Sequence, residues 1–186
     1  RQGDCGDSLS STVPYHTSCQ PDILKSHTSD VLSLKCATAN VCTLDCAGQR
    51  SAEAVGLVLG GRAAILEEQF YGAGYNIVGL QETRLPGDLP RDGVRYHMFA
   101  ASGTQRGCYG VQCWISWRLA KYAQDVRPIS PRLLTLLLAM PGVQLCVVVA
   151  YAPQSGADQA DKDDFYDQLG EAVQRLKRKW PKAMLI

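Results

Sequence analysis

Apolar and polar positions change rhythm several times along the chain, and each rhythm predicts an element. "VLSLKCATANV", residues 31–41, alternates apolar and polar side chains and predicts a strand. After the loop "CTLDCAGQRS", Ala63, Leu66, Phe70 and Ala73 recur every three or four residues, with Arg62, Glu67, Glu68 and Gln69 falling between them. That spacing predicts a helix with Glu67 on its polar side, ended by Gly72 and Gly74. Residues 76–81 then form a short apolar run that predicts a buried strand. From 94 to 150 the pattern is all strand: "VRYHMFAAS", "YGVQCWISW", "RLLTLLLAM" and "VQLCVVVAY", separated by turn residues. Pro141-Gly142 suits the two central positions of a type II turn and would join the last two runs as a hairpin. A second helix, 159–179, is announced by Asp158 and Asp161 and carries Phe165, Leu169, Val173 and Leu176 at helical spacing. "KAMLI" begins another strand. The order β-α-β, antiparallel strands, α, β predicts an α/β fold with mixed sheets, a sandwich with helices on its outer faces.

Composition narrows the class without naming a chemistry. Residues 1–32 are rich in Ser, Thr, Gly and Pro with no apolar period, so they read as a flexible lead-in to a domain over 33–186. An apolar share of 46% with 20% charged residues is that of a soluble globular chain. No apolar run reaches the length of a membrane span; the longest, Leu133 to Met140, is strand-sized. A first residue that is not Met, no signal-peptide pattern in residues 1–30 and an end inside a strand lead us to expect a piece of a longer protein. The lead-in through residue 33 carries a net charge of −2 and the remainder +3, compatible with a phosphate-bearing partner without demanding one. Eight cysteines show no CxxC pair and no His-containing second cluster, which argues against a zinc site and a disulfide framework and for a reducing, intracellular setting. Cys113 and Cys146 sit inside apolar runs, where free Cys acts as a small hydrophobe.

Four places put polar side chains at strand ends: Asn40, Glu82 with Arg84, Tyr151 with Pro153, and the Gly-rich loop 103–110 with Arg106. Parallel strands one helix apart would bring Asn40 and Glu82 to the same sheet edge. An amide oxygen and a carboxylate there make a half-site for a hard cation such as Mg²⁺, which takes few protein ligands and several waters. Each residue also has a plainer reading. Glu82 suits a solvated turn, Asn40 a strand-to-loop turn, and Tyr151 a core position with its hydroxyl bonded nearby. The loop holding Arg106 could approach a phosphate through its N–H groups, and a plain hairpin explains it equally well. His16 and His27 fall in the lead-in, and His97 reads as a strand residue. The aspartates at 158, 161, 163, 164 and 167 lack the glycine and terminal Glu of a calcium loop and suit a helix N-terminus. "RLKRKWPK", 175–182, is either a contact for a nucleic-acid backbone or a solvated helix end. Trp114 and Trp117 would point to opposite faces of one strand, and both are expected to be buried.

"TANV" at 38–41, "GLQETR" at 79–84, "YGVQCWIS" at 109–116 and "VVVAYAP" at 147–153 resemble, in order and spacing, the endonuclease/exonuclease/phosphatase superfamily. Within it they look most like the apurinic/apyrimidinic-endonuclease-like endonuclease domain of non-LTR (LINE-type) retrotransposons, over about residues 33–186. The resemblance implies a DNase I-like four-layer α/β sandwich and phosphodiester hydrolysis dependent on Mg²⁺, with Mn²⁺ as a substitute. It implies that Glu82 is the main metal ligand, that Asn40 helps hold the metal or its waters, and that Tyr151 contacts the scissile phosphate. Arg84 would support the site or touch phosphate or DNA, while Arg106 is a second such candidate from its Gly-rich loop rather than from the resemblance. It further implies a DNA partner, nicking that primes reverse transcription, and a nuclear or cytoplasmic location, with no membrane and no stable protein partner. The family's Asp-x-Asn and Asp-His segments are missing from these 186 residues, so the fold is expected to be incomplete and the piece inactive alone. Two other readings stay open: a non-catalytic remnant or binding module, and a superfamily phosphatase acting on inositol phosphates or lipids.

Overall fold

The computed structural model describes residues 33–44, 61–103 and 108–186, within one compact unit, Ser33–Ile186. The expected lead-in over 1–32 and Arg106 lie outside the described residues. Strand β1 (Cys36–Asn40), helix α1 (Arg62–Gly72) and strand β2 (Ile77–Gln81) form the expected β-α-β unit. The two strands run parallel, from Cys36 opposite Ile77 to Asn40 opposite Gln81. β1 is shorter than the alternation predicts. Just before it, Lys35 donates its N–H to Asn76 Oδ1 (3.0 Å) and its carbonyl accepts the Asn76 N–H (2.8 Å), so a side-chain clasp stands where a longer ladder was expected.

The remaining elements are β3 (Arg91–Asp92), β4 (Tyr96–Ala101), β5 (Val111–Ser116), α2 (Trp117–Ala120), β6 (Ala123–Ser130), β7 (Leu133–Met140), β8 (Val143–Ala150), α3 (Gln159–Lys179) and β9 (Met184–Leu185). They make a five-stranded sheet, β1-β2-β5-β4-β3, and a four-stranded sheet, β6-β7-β8-β9. Only β1–β2 and β8–β9 pair parallel; the other neighbours are antiparallel. The Pro141-Gly142 turn does join β7 to β8, with Gly142 at φ 76°, as a type II turn requires.

Alternation along the strands builds four layers. Ile77, Phe99, Cys113 and Ile115 from the first sheet meet Leu134, Leu136, Val147 and Val149 from the second in one core. The opposite face of the first sheet, with Val78, Leu80, Tyr96 and Trp114, packs under α1 through Ala63, Leu66 and Phe70. Leu137 and Cys146 on the far face of the second sheet pack under α3 through Leu176. Both faces of β2 are therefore covered, which explains why its sequence is an unbroken apolar run rather than an alternation. This is the expected mixed, mainly antiparallel α/β sandwich with outer helices. Among the described residues no helix is long and apolar enough to cross a membrane.

Three expectations need correction. Glu67 is buried, not on a polar face: its Oε1 accepts the N–H groups of Arg95 (2.6 Å) and Tyr96 (3.0 Å), pinning α1 to the start of β4. The stretch 94–150 is not all strand. Trp117 opens the short helix α2 and is 44% exposed, donating its indole N–H to the Gly93 carbonyl, while Trp114 is fully buried. Strand β6 leaves no mark in the apolar spacing, because Pro128 and two breaks in register destroy its two-residue period.

Candidate functional site

Parity along three strands converges on one place. Ile77 faces the second sheet, Gly79 lies against Val149, and Gln81 continues that series; Leu145, Val147 and Val149 face back across the gap, and Tyr151 extends their series. Gln81 Nε2 donates to Thr38 Oγ1 (2.8 Å) and so ties β2 to the same side of β1 that carries Asn40. Asn40, Glu82 and Tyr151 follow at the ends of β1, β2 and β8, and the structure brings all three together. Asn40 Nδ2 donates to Glu82 Oε1 (2.7 Å), and the Tyr151 hydroxyl donates to the same oxygen (2.7 Å). Arg84 Nη2 donates to Glu82 Oε2 (2.9 Å). Asn40 Oδ1 in turn accepts the Cys42 N–H (3.0 Å), which fixes which way the carboxamide points.

Three converging donors stabilise the ionised carboxylate. The bonds from Asn40, Tyr151 and Arg84, in that order, hold the Glu82 pKa down at about 2. Tyr151 responds in the opposite sense: its bond to Glu82 pushes the phenol above its usual value, because losing the proton would face two negative charges at each other. Glu82 is therefore an anion throughout the neutral range, with Tyr151 a neutral donor beside it.

The backbone at this place is strained and strongly tied. Of six non-glycine residues with positive φ among the described ones, Cys42, Thr43, Glu82, Arg84 and Tyr109 lie in the loops around Glu82. Each conformation costs free energy that the surroundings must offset. The offset is a ladder between the loops. Val41 N–H reaches Gln81 O (3.0 Å), Leu44 N–H Thr83 O (2.9 Å), Thr83 N–H Gly110 O (3.0 Å) and Arg84 N–H Tyr109 O (2.9 Å). Thr83 is buried at its centre, and Gly110 at φ 90° leaves no room for a Cβ, which would stand 2.7 Å from Thr83 Oγ1.

Residues that the sequence did not single out complete the surroundings. Arg132 lies over the Tyr109 ring (3.9 Å from its centroid) and donates Nη1 to the Tyr151 and Ala152 carbonyls (3.2 and 3.3 Å). No sequence motif pointed to it, since a single Arg before an apolar run is ordinary. A groove of about 410 Å³ runs between β1, β2 and β8, lined by Thr38, Gly79, Gln81, Val147 and Val149; Asn40, Glu82 and Tyr151 are not part of it. Away from the site, Arg175 and Lys179 of the 175–182 run pair with Asp125 (3.0 and 3.2 Å), while Lys177 and Arg178 stay exposed. His97, the one histidine among the described residues, is a strand residue held by Asp92. Cys113 and Cys146 are buried in strands.

The hard oxygen ligand at this place is the Glu82 carboxylate, held ionised, of the kind Mg²⁺ accepts when water fills most other positions, while Asn40 turns its Nδ2 to Glu82 and its Oδ1 to the Cys42 N–H. No cluster of three or more His, Cys, Asp or Glu suited to holding a metal exists among the described residues.

No family model matches the chain, and no curated protein matches it. Solved structures do. The AP endonuclease LMAP from Leishmania major matches with a TM-score of 0.55 and 19% identity, covering 77% of this chain and 49% of its own. The catalytic domain of APE2 from Xenopus laevis matches at a TM-score of 0.46 and 19% identity, over 62% of this chain and 52% of its own. TDP2 from Caenorhabditis elegans matches at 0.47 and 12%, over 68% and 42%. The chain shares the fold of the Leishmania enzyme. It spans about half the length of the structures it matches.

Proposed function

We propose that the chain carries the metal-binding half of a phosphodiester-cleaving nuclease of the endonuclease/exonuclease/phosphatase superfamily. The observation that carries this reading is the convergence of Asn40, Tyr151 and Arg84 on the single carboxylate of Glu82, at strand ends from both sheets. A fold shared with an AP endonuclease supports it. In this reading Glu82 is the main ligand of Mg²⁺ or Mn²⁺, with Asn40 helping to hold the ion or its waters. Bound there, the cation would neutralise charge on the phosphate and stabilise the leaving oxygen. Tyr151 keeps Glu82 ionised in the free site, and its hydroxyl would turn to the phosphate once a cation holds Glu82. Arg84 balances Glu82 and is a candidate phosphate contact, with Arg106 a second. The substrate is DNA, nicked to leave a 3′ hydroxyl, and the motifs "GLQETR" and "VVVAYAP" favour a LINE-type retroelement enzyme.

The same reading holds that residues 1–186 alone bind the cation without turning over. The superfamily's Asp-x-Asn and Asp-His segments do not occur in these 186 residues, and His97 is engaged by Asp92. The test is Mn²⁺ binding to the 186-residue chain followed by electron paramagnetic resonance, beside a supercoiled-plasmid nicking assay. Saturable Mn²⁺ binding that Glu82→Gln removes, without nicking, is the expected result. Absence of binding would favour a non-catalytic module of the same fold, and nicking would sink the inactivity.

A further inference from the structure

Arg132 stands at the junction of the two sheets, and its contacts run in two directions. In the second sheet its carbonyl accepts the Tyr151 N–H (2.8 Å), extending the β7–β8 ladder by one residue. Its Nη1 also donates to the carbonyls of Tyr151 and Ala152 (3.2 and 3.3 Å). Toward the first sheet, its guanidinium carbon lies 3.9 Å from the centre of the Tyr109 ring and 5.0 Å from that of Tyr151. The residue before it, Pro131, accepts the Gly110 N–H (2.9 Å). The two tyrosine rings are 6.3 Å apart, and the guanidinium lies within reach of both.

Two routes lead from this side chain to Glu82. One passes through the Tyr151 hydroxyl, which donates to Glu82 Oε1 (2.7 Å). The other passes through the main chain of the Tyr109 loop, where the Tyr109 and Gly110 carbonyls accept the Arg84 and Thr83 N–H groups (2.9 and 3.0 Å). Tyr109 holds a φ of 64°, unusual for an aromatic residue and stable only if its surroundings enforce it. The chemistry calls for arginine specifically. A planar guanidinium can stack on an aromatic face while its in-plane N–H groups reach carbonyls, and a lysine ammonium cannot do both.

We infer that Arg132 is a positioning residue that locks the Tyr109 and Tyr151 loops together and thereby sets the Tyr151 hydroxyl on Glu82. Its catalytic meaning rests on the nuclease reading above; the lock itself does not.

The experiment compares wild type, Arg132→Lys and Arg132→Met in the 186-residue chain by amide hydrogen exchange and by the ¹³Cζ resonance of Tyr151, assigned with Tyr151→Phe. In Arg132→Met the Thr83, Arg84, Gly110 and Tyr151 amides should exchange at least about tenfold faster, while Leu136 and Val147 keep their protection. The Tyr151 resonance should move as well. Arg132→Lys should show the same local loosening to a smaller degree, and it decides the matter if Arg132→Met does not fold. Millimolar methylguanidinium added to Arg132→Ala should restore protection in part. Unchanged exchange and resonance, or faster exchange spread evenly over the chain, would overturn the assignment; the second result would make Arg132 merely a stabilising residue. Mn²⁺ affinity should fall about tenfold in Arg132→Met, as for partners one step removed from a ligand. If wild type binds no Mn²⁺, the nuclease reading fails while the exchange data still decide the lock.

Discussion

Replacing Tyr151 by Phe removes one oxygen and leaves the ring, so it isolates the bond from the hydroxyl to Glu82 Oε1 (2.7 Å). In wild type the Glu82 pKa is held at about 2 against an ordinary value of 4.5. That depression corresponds to roughly 3 kcal/mol of preference for the anion. It is an upper bound on stability, because the Arg84 side chain is 43% exposed and water screens its share. A hydrogen bond to a charged group contributes about 1.5–3 kcal/mol, so losing it should raise the Glu82 pKa to about 3–4. The assay is a carboxyl-¹³C titration of Glu82 in metal-free buffer, wild type against Tyr151→Phe. The linkage has a definite sign. The folded pKa lies below the unfolded one, so this stabilisation is complete above about pH 4.5 and is lost as pH falls toward 2. In Tyr151→Phe the contribution should be smaller and its loss should be complete at a higher pH. Titration of wild-type Glu82 near 4.5, or no change in the variant, would refute the reasoning.

Glu67→Ala should destabilise the chain by about 2–4 kcal/mol in urea unfolding, because it orphans the N–H of buried Tyr96 and leaves a cavity under α1. Glu67→Gln keeps an acceptor oxygen at the same place and should cost about 1 kcal/mol or less. Gly110→Ala should cost well over 2 kcal/mol in the same measurement, since its Cβ meets Thr83 Oγ1 at 2.7 Å and its φ is 90°. Gly142→Ala, also at positive φ but with nothing within 4 Å, should cost only about 1 kcal/mol. Asp125→Asn should lower stability at neutral pH by about 1–2 kcal/mol, because Arg127, Arg175 and Lys179 lose the carboxylate that gathers them.

The sequence disclosed those parts of the fold whose physics is periodic. Helix α3 reads over 159–179 from its apolar spacing and forms over Gln159–Lys179, because nothing but one packed face determines it. β7 and β8 read correctly because their apolar runs are long and joined by a turn whose glycine needs positive φ. The burial of Glu67 is not legible, because spacing alone cannot tell a solvated carboxylate from one that buries itself on two backbone N–H groups. The helical place of Trp117 is not legible either, because a four-residue helix is too short to show a period. At the candidate site, Asn40, Glu82 and Tyr151 were legible as polar groups ending apolar strands. Arg132 and Tyr109 were not, since what joins them to Glu82 is contact across two sheets, which no local spacing encodes.

The cluster of positive φ values constrains how this site can be changed. Five strained residues, at about 1–3 kcal/mol each, would together rival the net stability of a domain. Main-chain bonds that tie the 41–44, 82–85 and 109–110 loops to one another and to Pro131 help to hold them. None of those bonds uses the side chains of Glu82 or Tyr151, whereas Asn40 Oδ1 accepts the N–H of strained Cys42 (3.0 Å). Conservative changes to Glu82 or Tyr151 should therefore alter charge and affinity while leaving the loops in place. Changes at Gly110 or Arg132 should instead let the strained residues relax, taking the Glu82 carboxylate away from its donors even though neither residue touches it. A site organised in this way is lost more readily through its supports than through its functional groups.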